Sequence, residues 1–314
     1  MGDNFYFIMD VIDYKGNLPL EIIPGHWFRK ANTEEIRFIK KQLRNLDPKG
    51  ILSFRYENKF VAVGEAGSSF ESVRLPRKEW KYYLISFSGF NDKAENIKYA
   101  ANLLKNDITI GFDCIKFNEM NSFSTGYSPF ILPVFIADNS IWKPKEISLE
   151  DTELFEVTTT YDMISKLDKR RYSNVIRALS DFTDTKMITN RSPLKSLSYF
   201  GIIEALLTHD PERRDLTDSL TRQVSTKMSL LTKNFQREVD YTFYFPELKE
   251  KTKVWKKLYA YRSTIAHGGQ PNFSGEFKAL VSPDRIRKFL KESVKLLILY
   301  SLKEPEFVAD LQQC

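Results

Sequence analysis

Residues 253–269, with the sequence KVWKKLYAYRSTIAHGG, decide how the second half of the chain folds. Apolar side chains recur in this stretch at three- and four-residue spacing, which is the pattern of one buried helix face. They are Val254, Leu258, Tyr261 and Ile265. Gly268 or Gly269 can take the left-handed conformation that ends a helix, and Pro271 blocks its continuation. The sequence therefore predicts a helix that ends at this glycine pair.

Arg262 and His267 lie near the end of the predicted helix, with four residues between them. Five steps along a helix turn the side chain by about 140°, so in a straight helix the two would not share a face. Either the last turn unwinds and His267 swings back toward Arg262, or a second copy of the helix completes the pair across a dimer axis. In both cases a permanent cation, which can brace a phosphate, stands beside a histidine, which can move protons near neutral pH.

The run of residues 261–268, YRSTIAHG, resembles the Arg-x4-His motif of HEPN domains, and it is similar to the subgroup found in ApeA-type abortive-infection proteins. The resemblance covers roughly the C-terminal half of the chain. It implies a helical bundle that is usually dimeric and often a metal-independent ribonuclease. It further implies that His267 is the general acid and base and that Arg262 stabilises the phosphate. Ser263 stands where many members of the family carry another polar residue, which implies a supporting role in catalysis.

A structural role for the same residues is the alternative. His267 would then only cap the last helical turn, and Arg262 would pair with a carboxylate. The candidate carboxylate is Glu204, because it lies among the apolar residues Phe200, Ile203 and Leu207 and a carboxylate there needs a partner. Glu204 could equally lie at the polar edge of its helix.

Several residues are candidates for contacts with RNA, each with a structural alternative. Tyr261 and Tyr259 could stack on a base, but tyrosines at this spacing more often lie in the core. Contacts with the phosphate backbone are predicted for basic residues that could also be ordinary solvated charges. They are Lys256, Lys257, Arg213 and Arg214.

The 314-residue chain carries a net charge of +6 that is unevenly distributed. Residues 1–150 have 20 Lys and Arg against 19 Asp and Glu, whereas residues 151–314 have 27 against 22. The excess positive charge lies in the half that contains Arg262 and His267, which favours a polyanionic partner such as RNA.

The sequence predicts an intracellular, cytoplasmic protein. The chain has only two cysteines, Cys114 and Cys314, which excludes a disulfide framework and a cysteine-based zinc site. Neither a signal peptide nor a membrane-spanning run is recognisable, and no metal-ligand spacing indicates a metal or another cofactor.

Composition and patterning predict an α+β protein of two domains, a strand-rich mixed domain at 1–145 and an all-α bundle at 146–314. The resemblance implies that this bundle is HEPN-like. In the first domain a helix is predicted after Asn32 or Thr33, and another at 94–104. Strands are predicted at 5–12, 80–87, 108–112 and 128–136, a hairpin at 51–63, and a linker at 137–147. His26 in this domain is predicted to be a packed or surface residue.

The second half shows helical periodicity from about residue 149. Helices are predicted at 149–167, at 169–182, from Ser192-Pro193 to His209, from Asp215 or Thr217 through Leu231, and after Ser282-Pro283. With the 253–269 helix they make a bundle.

These observations lead to one principal hypothesis and two alternatives. The principal one is a HEPN-type endoribonuclease, acting as a homodimer on RNA such as tRNA, in antiviral defence or a toxin-like stress response. Its N-terminal domain would sense a trigger or contact an antitoxin partner. The first alternative is a catalytically inert HEPN module for dimerisation and binding of RNA or a ligand. The second is an N-terminal domain that binds a small ligand and a bundle that relays the signal.

Overall fold

The computed structural model describes residues 3–47, 50–63, 69–89, 92–117, 122–127, 134, 146–209 and 220–314. The chain divides into two compact units, Met1–Asp162 and Met163–Cys314. The first unit is built on a strand-rich sheet and the second on helices, so the predicted α+β organisation is confirmed. The division between the units falls within a helix, and the boundary at 145/146 stays a prediction.

The first unit is centred on a six-stranded sheet in which every pair of neighbours is antiparallel, in the order β3-β4-β7-β1-β8-β9. Its strands are β1 (Asn4–Ile8), β3 (Leu20–Ile23), β4 (His26–Lys30), β7 (Tyr83–Phe87), β8 (Ile110–Phe117) and β9 (Ser122–Tyr127). Two smaller sheets pair β2 (Val11–Tyr14) in parallel with β10 (Glu146–Leu149), and β5 (Asn58–Val63) antiparallel to β6 (Ser69–Arg74).

The core of this unit lies on both faces of the central strands β1 and β7, whose side chains are almost all buried. On one face Phe5 and Phe7 pack with residues of two helices, α1 (Thr33–Leu46) and α2 (Ile51–Glu57). On the other face the Tyr6 ring stacks on Phe87. The continuous apolar run at residues 5–8, FYFI, follows from burial on both faces of this strand.

The start of α1 is the one that its sequence predicts. The Asn32 side chain accepts a hydrogen bond from the Glu35 N–H at 2.9 Å, and the Glu35 carboxylate accepts one from the Asn32 N–H at 2.7 Å. This reciprocal arrangement satisfies two of the N–H groups that a helix start leaves open. The helix predicted at 94–104 is also confirmed, as α3 (Ala94–Leu103).

The hairpin predicted at 51–63 is wrong in its first half, because residues 51–57 form α2. Leu52 and Tyr56, four residues apart, both face the core, and the Tyr56 hydroxyl donates to the Met9 carbonyl at 2.6 Å. Spacing by four satisfies both the helical and the strand period, so seven residues are too few to distinguish them. The second half of the predicted hairpin is confirmed as the strand β5, but its partner is β6 and not residues 51–57.

The strand predicted at 5–12 is interrupted at Met9 and Asp10, so β1 and β2 belong to different sheets. The Met9 N–H and the Asp10 side chain both bind the backbone of Thr109, which fixes the bend. The strands predicted at 80–87 and 108–112 are confirmed as β7 and β8 with shifted ends. Most of the 128–136 strand and of the 137–147 linker lies outside the described residues, although Glu146 and Ile147 begin β10.

Helices make up the second unit. They are α4 (Asp151–Lys166), which spans the division, α5 (Ser173–Asp184), α6 (Pro193–Leu207), α7 (Leu220–Leu231), α8 (Tyr241–Tyr244), α9 (Lys251–Ala266), α10 (Pro283–Lys303) and α11 (Pro305–Gln313). The predicted caps at Ser192 and Ser282 are confirmed, since each side chain accepts a hydrogen bond from the first turn of its helix. The short helix α8 and the last helix α11 were not predicted.

Helix α6 lies at the centre of the bundle and packs against α5, α7, α9, α10 and α11. Its buried residues, including Phe200, Ile203 and Leu206, form one broad face, and Leu194 and Gly201 are exposed on the opposite side. A second centre is the Phe289 ring of α10, which lies about 5 Å from the rings of Tyr241, Phe245 and Trp255. The position of α6 matters for function, because it carries Glu204.

Helix α11 closes the carboxyl end of α6. The Gln312 side chain donates to the carbonyls of Ala205 at 2.9 Å and Thr208 at 3.2 Å, which a helix end leaves without partners. The Gln312 carbonyl lies 3.0 Å from His209 Nδ1 and accepts a hydrogen bond from the Lys227 ammonium at 3.4 Å. These hydrogen bonds of Gln312 join the last helix, α11, to the central helix, α6, and we call them the polar clamp.

Candidate functional site

The end of α9 has the conformation that the glycine pair predicts. Gly268 adopts φ +75°, and its N–H donates to the Ile265 carbonyl at 3.2 Å. The Gly269 N–H donates to the Thr264 carbonyl at 2.8 Å. These two bonds are those of the Schellman motif, which satisfies the last carbonyls of a helix. The prediction that the helix ends here is confirmed.

The last turn does not unwind before His267, so that alternative is wrong. The helix is regular through Ala266, and the His267 N–H still donates to the Ser263 carbonyl at 3.2 Å. Arg262 and His267 therefore point about 140° apart around the helix axis. Completion of the pair by a second copy of the helix stays a prediction.

Arg262 is held by Glu204 of α6, so the predicted partnership is confirmed. Its Nη2 donates to Oε2 of Glu204 at 3.3 Å. Its Nε lies 3.2 Å from Oε1, but the Nε–H is not directed at that oxygen. Among the described residues Nη1 has no hydrogen-bond acceptor. The Arg262 side chain is 35% exposed, so part of it remains accessible to a ligand.

Tyr259 is the third member of the cluster. Its hydroxyl donates to Oε1 of Glu204 at 3.1 Å. Burial and then the nearby Glu204 charge raise the pKa of Tyr259, so the hydroxyl stays protonated and remains a donor. Two donors from α9 thus hold the carboxylate on α6. We define Glu204, Tyr259 and Arg262 as the carboxylate cluster.

His267 lies on a different face of α9, at the end of an exposed stripe. The side chains of Lys253, Lys256, Ala260, Ser263 and His267 follow one another at three- and four-residue spacing. All are exposed except Ala260, which is half-buried. No hydrogen bond or ion pair involves the His267 imidazole among the described residues. The imidazole is therefore available to a ligand that follows the helix.

The predicted stacking of a base on Tyr261 is wrong for this conformation. The ring is only 2% exposed and packs near Phe273 and Phe277, with centroids about 6 Å away. Its position on the apolar stripe of α9 places it in the core. Tyr259 is also buried, which agrees with the core alternative for that residue.

The other candidates for RNA contacts differ in their surroundings. Lys256 is exposed, whereas Lys257 is half-buried with its ammonium 5.3 Å from the centre of the Phe277 ring. Ser263 is exposed beside Arg262 in sequence. Arg213 and Arg214 lie outside the described residues. The roles of Lys256, Lys257 and Ser263 stay predictions.

The two remaining histidines have structural surroundings. His26 is buried in β4 and stacks on the Phe87 ring at 5.4 Å, which confirms that it is a packed residue. Burial lowers its pKa, so the neutral ring is favoured. His209 belongs to the polar clamp at the end of α6.

The binding of Tyr259 to Glu204 was missed from the sequence, although a signal for it exists. Tyr259 and Arg262 are three residues apart and therefore neighbours on one helix face. Once Arg262 is assigned to Glu204, the tyrosine one turn earlier is within reach of the same carboxylate.

Comparison of the chain with protein-family models, with curated proteins and with solved structures found no match. Within the described ranges no group of three or more His, Cys, Asp or Glu side chains is arranged to hold a metal ion. None of the helices described has both the length and the hydropathy needed to cross a bilayer.

Proposed function

We propose that this protein is a metal-independent endoribonuclease of the HEPN type that cuts RNA at the end of α9. The observation that carries the proposal is the pairing of two features on one helix. The carboxylate cluster fixes a half-exposed arginine, and an exposed histidine stands one and a half turns further on.

The chemistry needs only groups of these kinds. A neutral imidazole takes the proton of the ribose 2′-hydroxyl, and O2′ attacks the adjacent phosphorus. The guanidinium of Arg262 stabilises the charge that accumulates on the phosphoryl oxygens. The 5′-oxygen leaves with the proton that the imidazole has taken up, which gives a 2′,3′-cyclic phosphate and a 5′-hydroxyl and returns the imidazole to its neutral form. Glu204 and Tyr259 position Arg262, and Ser263 adds a hydroxyl on the exposed face.

The exposed stripe of α9 supports RNA as the substrate. Lys256 places positive charge along the path that leads to His267, whereas the Lys253 ammonium is paired with the Glu250 carboxylate at 2.8 Å. The small side chains of Ala260 and Ser263 leave room beside the helix. A phosphate backbone lying along this stripe would reach His267.

The first test is cleavage of total RNA and tRNA by the purified protein in EDTA, together with its His267→Ala variant. We expect cleavage by the wild type and a loss of at least about a hundredfold in the variant, the usual contribution of a general acid or base. Gln270→Ala, an exposed residue three positions later, is the matched control and should cut normally. Equal cleavage by His267→Ala would falsify the assignment.

The arrangement of the two residues also gives a test of a shared site. Because Arg262 and His267 point away from each other, we propose that a site combines Arg262 of one copy with His267 of the other. Mixing the inactive Arg262→Ala and His267→Ala proteins should then restore cleavage, since one site of the mixed dimer keeps both residues. If each site lies within one chain, the mixture stays inactive.

A catalytically inert HEPN module is the second candidate, and a specific observation favours it. Arg262 already pairs with a carboxylate, and His267 is the C-cap residue, as purely structural roles require. In that case RNA would bind along α9 without being cut, and His267→Ala would leave binding unchanged.

A role in antiviral defence or stress is part of the same proposal. An enzyme that cuts host RNA needs restraint, which the first unit could supply through a trigger or an antitoxin partner. Expression of the wild type, but not of His267→Ala, should then arrest growth once the restraint is removed.

A further inference from the structure

The first unit contains a cavity that is unrelated to the site on α9. Its volume is about 420 Å³, and it opens between the end of β4, the start of α1 and residues 77–82. Small-molecule sites usually have volumes of about 300–1,000 Å³, so this cavity is within the range of small-ligand sites. The side chains that matter for its chemistry are those of Lys30, Arg77, Lys78 and Trp80.

The cavity is lined by three positively charged side chains, and the nearby Glu79 offsets their charge only in part. No carboxylate of the described residues lies at ion-pair distance from Lys30, Arg77 or Lys78. The nearby Glu35 carboxylate is already bound by Arg29 at 2.7 Å and by the Asn32 N–H. Uncompensated positive charge around a concave surface attracts an anion.

Lys30 is the clearest case of a positive charge in this cavity that has no carboxylate partner among the described residues. Its stem is half-buried, and its ammonium donates to the Lys78 carbonyl at 2.8 Å and lies 5.8 Å from the centre of the Tyr83 ring. Burial lowers the pKa of Lys30, and the charge of Glu79 opposes that effect only in part. A bound anion would compensate the cost of burying this cation.

One wall of the cavity is aromatic and fixed in place. The indole N–H of Trp80 donates to the Leu75 carbonyl at 3.1 Å. The Lys40 ammonium lies 5.4 Å from the Trp80 ring and is itself tied to Glu57 at 2.6 Å. The Arg77 guanidinium lies 5.8 Å from the same ring, but it is exposed and has no carboxylate among the described residues. The Arg74 guanidinium also lies 5.9 Å from the Trp80 ring, but it is paired with the Glu57 carboxylate at 3.7 Å. Arg77 has no such partner within the described residues, so it is the cation that can give up its position on the ring to a planar ligand or stack on that ligand.

We infer that this cavity binds a nucleotide, with the phosphates on Lys30 and Lys78 and the base between Trp80 and Arg77. Phosphates match the charge, and a base matches the aromatic wall. The inference does not depend on ribonuclease activity, because it concerns residues of the first unit alone.

The test is calorimetric titration of the full chain with each of the four ribonucleoside triphosphates and, separately, with pyrophosphate. We expect saturable binding of at least one nucleotide and binding at least tenfold weaker in Lys30→Gln, the effect of losing one charged hydrogen bond of about 1.4 kcal/mol. Trp80→Leu should weaken nucleotide binding and leave pyrophosphate binding unchanged. The exposed Lys59 of β5 gives a matched control, since Lys59→Gln lowers the net charge equally and should bind normally.

Three results would overturn the inference. They are the absence of saturable binding for all four nucleotides, an equal loss in Lys30→Gln and Lys59→Gln, and pyrophosphate binding as tight as that of the nucleotides. His267→Ala separates this site from the one on α9, because a nucleotide bound at α9 would be lost in that variant. If Lys30→Gln does not fold, Lys78→Gln replaces it, since Lys78 is exposed.

Discussion

Two glycines of the second unit should respond to alanine in opposite ways. Gly268 has φ +75°, which strains any side chain, so Gly268→Ala should lower the free energy of unfolding by about 1 kcal/mol. Gly201 lies on the exposed side of α6, where an added methyl group would meet only open space, and its alanine variant should raise that free energy by about 0.5–1 kcal/mol. Urea unfolding measures both, and a neutral Gly268→Ala would contradict the left-handed helix end.

For single residues, the sequence predicted which residues belong to the candidate site better than it predicted the directions in which their side chains point. The partnership of Glu204 and Arg262 followed from a lone carboxylate among apolar neighbours, because an unpaired charge there is costly. The orientation of His267 could not be predicted, because it depends on whether the last turn keeps its hydrogen bonds. The stacking role suggested for Tyr261 failed since its own helical spacing already placed it inside.

The attachment of α11 to α6 can be tested at the scale of the two helices. Gln312→Ala removes hydrogen bonds to the carbonyls of Ala205 and Thr208 and leaves them without their donor. We expect a loss of about 0.5–1.5 kcal/mol in the free energy of unfolding, which is the usual net contribution of a hydrogen bond, because these carbonyls are only half-buried. Gln313→Ala, at the exposed neighbouring position, should change it by less than about 0.5 kcal/mol.

Hydrogen–deuterium exchange would locate the effect. The amides of α11 should exchange faster in Gln312→Ala than in Gln313→Ala, whereas those of α9 should be unchanged. Uniformly faster exchange across the second unit would mean that the clamp stabilises the whole bundle.

The sequence predicted the helices whose apolar periodicity continues over several turns or whose first residue is a clear cap. It did not predict short helices. The helices α6 and α10 each begin with Ser-Pro and continue for several turns, so cap and period agree. The helix α2 spans only seven residues, and α11 follows α10 so closely that Pro305 reads as an end. Pro305 is in fact the first residue of α11, a position that proline favours.

The whole molecule should lose stability at alkaline pH. Burial raises the pKa of Tyr83 and Tyr241 to about 12, and it raises the pKa values of Tyr6, Tyr56 and Tyr82 further. Tyrosines of the unfolded chain ionise near pH 10, so rising pH above about 10 favours unfolding, and the stability is complete below that pH. The urea midpoint should be constant from about pH 8 to about pH 9.5 and then fall, and the full tyrosinate absorbance of all 15 tyrosines should be reached only on unfolding. Full tyrosinate absorbance before unfolding would show that the buried hydroxyls reach solvent.

The order of strands in the large sheet was beyond sequence reasoning, because it depends on pairings between distant segments. Patterning identified β1, β7 and β8 separately, yet nothing in their composition says that β1 lies between the other two. The division into a strand-rich and a helical part followed from periodicity alone, since each period shows which faces must be buried.

The central place of β1 bears on how the protein emerges from the ribosome. Both neighbours of this strand, β7 and β8, are translated later, β7 from residue 83 and β8 from residue 110. An apolar strand therefore leaves the exit tunnel long before it can pair, and at about 5–20 residues per second it waits for several seconds. During that interval it is a natural client for nascent-chain chaperones, whereas the helices of the second unit can form as they are made.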